Sequence, residues 1–228
     1  MRVASGVPGF DDLVDGGLLS DRLYVVSGPP GSGKTTFSSM FITQGAKEGE
    51  SCLYVTMHET KSELREDMSG FEFGFDRAIQ SNAVQFLNLV TEPGKRAISQ
   101  FGKEGGLTNR LVAYIESNGI DRVVIDSTLL LQHFFNDVSD EITGFLSALK
   151  QTDATIILIS EMTDPSAYSD EHYLAHGVIF FHNFLESGGM QRGIQVIKMR
   201  GTAIDCDIRE LEFSGEGLLV HPDRKVQT

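Results

Sequence analysis

Cysteine is scarce in this chain: two residues, Cys52 and Cys206, among 228. Both fall in segments that read as strands. Their number and separation argue against a disulfide framework or a thiolate metal site, and the expectation is two buried thiols in a reducing compartment. No hydrophobic run approaches the ~20 residues that a membrane-spanning helix needs. No basic stretch followed by an apolar one opens the chain, so no secretory signal is expected and a cytoplasmic location is. Basic runs are missing too, since no Lys/Arg run exceeds two residues. With 19 basic and 32 acidic residues the formal charge is 19 − 32 = −13. That charge keeps the chain soluble and repels nucleic acid, so DNA is disfavoured as a partner without being excluded. An acid excess of this size also fits a moderately salt-adapted host. No repeat, low-complexity segment or linker interrupts the chain, which reads as one domain over residues 1–228. A hydrophobic content of 40% and a charged content of 22% suit a soluble protein with a sizeable core.

Short apolar runs alternate with helical periodicities. Residues 5–19 are turn-rich. Leu23-Tyr24-Val25-Val26 reads as a buried parallel strand ending at a glycine loop. Phe37, Met40 and Phe41 mark a helix over 35–47 that Gly49 can stop. Residues 53–56 form the next strand, and Thr60-Lys61-Ser62-Glu63 is a capping box announcing a helix. A strand is expected over 84–90 and a loop over 91–106. Leu107, Leu111, Tyr114 and Ile115 give a helix stripe closed by Gly119. Residues 122–126 form a strand ending in a carboxylate. Ser139 is a candidate cap for a helix burying Ile142, Phe145, Leu146 and Leu149. A β-branched strand follows over 155–160. The pattern then changes: 178–186 and 191–200 read as a hairpin around Ser187-Gly188-Gly189, with further strands at 211–213 and 218–220. Alternating strands and helices imply an α/β fold: a mostly parallel sheet flanked by helices, carrying an antiparallel C-terminal β extension.

Gly28-Pro29-Pro30-Gly31-Ser32-Gly33-Lys34-Thr35 matches G-x-x-x-x-G-K-[ST]. A loop that wraps a phosphate with backbone N–H groups needs glycine wherever a side chain would collide. The helix that follows directs its positive end at the same phosphate. Lys34 is placed for the β- and γ-phosphates and the Thr35 hydroxyl for Mg²⁺. An apolar strand before the motif and an amphipathic helix after it supply the context that a chance match lacks. The cofactors expected are therefore ATP and Mg²⁺. Asp126 closes Val123-Val124-Ile125, 126 − 34 = 92 residues after the lysine. A strand-end aspartate in a P-loop protein holds the Mg²⁺; by itself it is an ordinary strand-end carboxylate.

These residues carry a family likeness. The chain resembles the KaiC-like branch of the RecA/RadA superfamily of P-loop ATPases, single-domain archaeal members included. The likeness rests on Ser5-Gly6-Val7-Pro8-Gly9-Phe10-Asp11-Asp12 with Gly16-Gly17, on Gly28 through Lys34, Thr35 and Thr36, on Val124-Ile125-Asp126-Ser127, and on Lys198-Met199-Arg200-Gly201. It spans residues 5–201 in the family's order. The resemblance implies a RecA-like core in a ring, a hexamer by preference, with ATP between subunits and Lys198 and Arg200 reaching a neighbour's γ-phosphate. The two cations stand two apart on a strand and leave one face together. Apart from the likeness, they read as a solvent-facing pair on an edge strand.

Two departures bear on activity. The family's Glu-Glu pair after the second strand is His58-Glu59 here. His58 takes the place of the residue that orients or deprotonates the attacking water, and Glu59 matches the second glutamate. Histidine can serve as a base near neutral pH, but the exchange is also compatible with a weakened ATPase. The adjacent Ser-Thr acceptors of the clock-type kinase are missing from residues 171–176, so no circadian kinase is expected. His133, His172, His176, His182 and His221 lack zinc spacing, and His172 and His176 read as polar loop residues. The resemblance puts Glu161 where relatives carry a phosphate-sensing polar residue. Three functions compete: a slow regulatory ATPase acting with an unidentified protein partner, a RadA-paralogue accessory of recombination, and a non-hydrolysing structural ring such as an archaeal motor accessory subunit.

Overall fold

A computed structural model describes residues 1–89, 91, 93–95, 106–128, 138–186 and 188–226. Val90, most of the 91–106 segment, His133, Ser187 and the Ser139 side chain lie outside the described residues. The strands are β1 (Arg2–Val3), β2 (Leu18–Leu19), β3 (Leu23–Ser27), β4 (Cys52–Thr56), β5 (Val84–Asn88), β6 (Arg122–Asp126), β7 (Thr155–Ser160), β8 (Gly177–Glu186), β9 (Gly189–Met199), β10 (Arg209–Ser214) and β11 (Gly217–Lys225). The helices are α1 (Lys34–Glu48), α2 (Lys61–Met68), α3 (Phe75–Gln80), α4 (Leu107–Ser117), α5 (Val138–Leu149) and α6 (Asp170–Leu174). A nine-stranded sheet runs in the order β11-β10-β9-β8-β3-β7-β6-β4-β5. From β8 to β5 every pairing is parallel, and β9, β10 and β11 are added antiparallel. The α/β expectation, with its antiparallel C-terminal extension, holds.

Strand apolarity explains the layering. Every residue of β3, β4 and β7 is buried, as expected where helices cover both faces of a parallel sheet. Tyr24 and Val26 join Phe37 and Phe41 of α1 and Phe10 of the entry segment in one core. Leu23 and Val25 join Leu111 and Ile115 of α4 and Phe145, Leu146 and Leu149 of α5 in the other. The period-2 alternation of β3 thus divides its side chains between two cores.

Some elements differ from expectation. Cys52 is buried in β4, but Cys206 is exposed in the connection before β10 rather than buried in a strand. Ile204-Asp205-Cys206-Asp207-Ile208 alternates as a strand would, but the Asp205 carboxylate accepts from the Asp207 N–H at 2.9 Å, a local turn bond in place of ladder pairing. Asp170–Leu174, expected as loop, is one turn of helix. The capping box of α2 forms as read: Thr60 accepts from the Glu63 N–H, and the Glu63 carboxylate accepts from the Thr60 N–H.

Arg122 ties three elements together although its side chain is only 1% exposed. It donates to the Ala4 carbonyl at 2.7 Å and the Phe41 carbonyl at 3.1 Å, pairs with Glu48 at 2.6 Å and with Glu50, and lies 4.8 Å over the Phe41 ring. Gly45 of α1 makes room for it, since a Cβ there would stand 2.6 Å from the Arg122 Cδ. Arg122→Met should cost about 3 kcal/mol, the lower end for breaking a buried pair, because Glu48 and Glu50 can turn to water. Urea denaturation checks this; a loss under about 1 kcal/mol would mean that the guanidinium contacts contribute little.

Candidate nucleotide site

The loop between β3 and α1 folds as a cradle. Gly28 sits at φ 144°, where a Cβ would meet the Phe181 carbonyl oxygen at 2.5 Å, so glycine is required. α1 begins at Lys34 with Gly33 as its N-cap, directing the free N–H groups of its first turn into the loop. Pro29, Pro30, Gly31 and Ser32 form the rest of the curl. The Lys34 ammonium is folded into it, donating to the Gly28 carbonyl at 2.9 Å and the Pro29 carbonyl at 3.0 Å, with the Glu161 carboxylate at 3.4 Å. Beside it a cavity of about 320 Å³ is lined by loop residues, Thr35, Thr36, Glu161 and Phe213. Phe213, from β10, is far from the loop in sequence and was not legible there. The Arg192 guanidinium lies 5.0 Å over its ring.

Thr35 and Asp126, distant in sequence, meet: the Thr35 hydroxyl is 3.3 Å from the Asp126 carboxylate. The parallel register that pairs Thr56 with Asp126 also sets the ends of β4 and β6 side by side. The Tyr54 hydroxyl donates to the same Asp126 oxygen at 2.8 Å, a fixing contact that the sequence did not reveal. Burial raises the Asp126 pKa, and the Tyr54 and Thr35 hydrogen bonds oppose that rise. A hydroxyl and a carboxylate at a phosphate loop are the hard oxygen donors that Mg²⁺ takes, its other places going to phosphate and water.

Glu59 and His58 differ in placement. His58 is exposed. Glu59 is half-buried, and its Oε2 is enclosed with no hydrogen-bond partner among the described residues. Burial pushes its carboxyl up to about 6, aided by the charges of Asp126, Asp67 and Glu63. Asn88 holds the turn by donating to the Glu59 carbonyl at 2.8 Å. An orphaned carboxylate oxygen beside Asp126 fits a position that a cation or a water would complete.

Lys198 and Arg200 lie elsewhere. Lys198 pairs with Val178, and Val178 with Val25. The Arg200 N–H donates to the His176 carbonyl, and the His176 N–H to that of Leu23. Arg200 is thus level with Leu23, five residues before Gly28, roughly 16 Å away along the strand direction. A register shift between Val178 and Ile179 interrupts the β8–β9 ladder. Val196 faces the first core and Ile197 the second, so strict alternation would return Lys198 to the first. Instead it bonds to α6, as a bulge permits. Its ammonium donates to the His172 and Tyr173 carbonyls, both at 2.9 Å, and Arg200 donates to the Tyr173 carbonyl at 3.1 Å. The cations share a face as expected, both bonded to carbonyls of α6. Among the described residues no helix is long and apolar enough to cross a membrane.

The family model for KaiC ATPases matches residues 3–225. The circadian clock protein KaiC3 of Synechocystis is 30% identical over 209 residues, covering 88% of this chain and 41% of that protein. The KaiC clock oscillator protein of Parathermosynechococcus lividus is 30% identical over 226 residues, covering 96% and 42%. The chain therefore spans about two fifths of the length of these curated relatives. The crystal structure of the KaiC-like protein PH0186 from Pyrococcus horikoshii OT3 superposes with a TM-score of 0.83 at 26% identity, covering 97% of this chain and 99% of that one. With a phosphate loop at the end of β3 and this sheet around it, the chain belongs to the KaiC family of RecA-type, nucleotide-binding P-loop ATPases.

Proposed function

We propose that the chain binds ATP with Mg²⁺, hydrolyses it slowly and works as a homo-oligomer, hexameric by preference, whose sites are completed by a neighbour. The observation that carries this reading is the division of its charged groups. Lys34, Thr35, Asp126 and Glu59 gather at one end of the sheet, while Lys198 and Arg200 are level with Val25 and Leu23, roughly 10 and 16 Å before Gly28 along the strand direction, and bond to α6 instead. In cis, the loop and Lys34 hold the phosphates, while Thr35 and Asp126 hold Mg²⁺, which would neutralise developing phosphate charge. Glu59 accepts the proton of the attacking water: its pKa of about 6 leaves it ionised at neutral pH yet basic enough to act. His58, exposed, is left without that task. Lys198 and Arg200 serve the γ-phosphate of the next subunit. The formal charge of −13 disfavours the recombination reading.

Sedimentation with and without ATP-Mg²⁺, with phosphate release followed in the same sample, tests the proposal. Nucleotide-dependent assembly with slow release supports it; a monomer in both conditions sinks it. In the same assay Glu59→Gln should lower turnover ~10²-fold or more with ATP still bound, and His58→Ala should change little. Wild-type turnover should fall as pH drops through about 6, where Glu59 becomes protonated, and Glu59→Gln should lose that limb. The reverse ranking of the two variants would return the base to His58.

A further inference from the structure

We infer that His172, with Glu171, is a positioning residue: α6 fastens the Lys198/Arg200 pair to the strand ends that carry the chain's own phosphate site. This rests on the shared-site reading above.

Ser27 and Ser160 are paired across β3 and β7. Each is followed directly by a partner of Lys34, Gly28 through its carbonyl and Glu161 through its carboxylate. Each hydroxyl is also bound by α6. Ser27 Oγ lies 2.8 Å from His172 Nε2, and Ser160 Oγ donates to the Glu171 carboxylate at 3.0 Å. The C-terminal end of the same turn holds the two cations, through the His172 carbonyl to Lys198 and the Tyr173 carbonyl to both. Five residues therefore join both neighbours of Lys34 to the groups offered to the next subunit. A single turn is too short to hold its own place. Its position follows from these bonds, from Leu174 and Ala175 on the second core, and from Lys150, which donates to the Leu174 carbonyl at 3.1 Å.

The imidazole has a defined orientation. The Ser169 N–H can only donate, and it points at His172 Nδ1 at 3.2 Å. Nδ1 therefore accepts, and Nε2–H donates to Ser27. His172 is 1% exposed, and burial lowers its pKa, keeping the ring neutral for both bonds. The structure thus gives His172 two tasks that a surface loop histidine would not have.

Complementation between subunits separates this role from plain structural support. His172→Asn keeps a short polar group near Ser169 but loses the reach to Ser27. It should bind ATP like the wild type while lowering turnover ~10²-fold, the scale of a catalytic group misplaced by about 1 Å. Mixed with Lys34→Ala it should regain activity, because the Lys34→Ala neighbour still donates a well-placed pair. Mixed with Arg200→Ala it should not. His172→Gln, which retains a terminal N–H for Ser27, should restore much of the turnover. Ser27→Ala removes the same contact from the strand side and reports the same grouping if His172→Asn does not fold. Should the variant lose ATP binding and complement Arg200→Ala instead, the helix merely supports its own phosphate loop and the inference is overturned. A Lys34→Ala/Arg200→Ala control without recovery in co-assembled rings, or a wild type without turnover, overturns the shared-site reading and this inference with it.

Discussion

Replacing Lys34 with alanine should weaken ATP binding by ~100-fold or more, since charge-assisted hydrogen bonds to phosphate are worth about 1.5–3 kcal/mol each. The ammonium is the cation of the curled loop, held by the Gly28 and Pro29 carbonyls at 2.9 and 3.0 Å. Without it, these carbonyls and the Glu161 carboxylate would face an anionic ligand with no compensating charge. The loop's N–H groups and the N-terminus of α1 would remain, so residual affinity is expected rather than none. Titration calorimetry with ATP-Mg²⁺ measures the effect. A variant that binds as tightly as the wild type removes the nucleotide reading of the loop.

Arg200→Ala should have its large effect on turnover rather than on binding. Its guanidinium is exposed and donates to a single described carbonyl, that of Tyr173. Folding and the cis phosphate site should therefore survive its removal. Where a neighbour's arginine stabilises the transition state it is worth ~10³-fold or more in rate, and a loss on that order is the expected result. Single-turnover phosphate release at saturating ATP separates this from weakened binding. A rate within about twofold of the wild type, far below the ~10³-fold expected, leaves Arg200 as a solvent-facing residue just past the end of β9, a strand that lies inside the sheet and not at its edge.

Most of the frame was legible because local rules governed it. The phosphate loop, α1, the α2 capping box and the strand ending at Asp126 are each specified by neighbouring residues. The contacts that define the site further are non-local. Tyr54 donates to Asp126 and Phe213 lines the cavity through strand order, which composition and spacing do not encode. His172 read as a loop histidine because its partner Ser27 lies 145 positions away. Glu59 and His58 are adjacent, and motif position assigns the base differently from burial: one carboxylate oxygen is enclosed, while the imidazole is in solvent. The same-face prediction for Lys198 and Arg200 reached the right outcome across a bulge that period-2 reasoning did not anticipate.

The central claim is that one site is built from two subunits. Mixing Lys34→Ala with Arg200→Ala subunits tests it most directly. Neither variant alone should turn over ATP appreciably. In a mixed ring an Arg200→Ala subunit holding ATP can sit beside a Lys34→Ala subunit that still supplies Arg200. Phosphate release should therefore partly return on mixing, with co-assembly confirmed by sedimentation. Co-assembled rings that stay inactive would contradict the account.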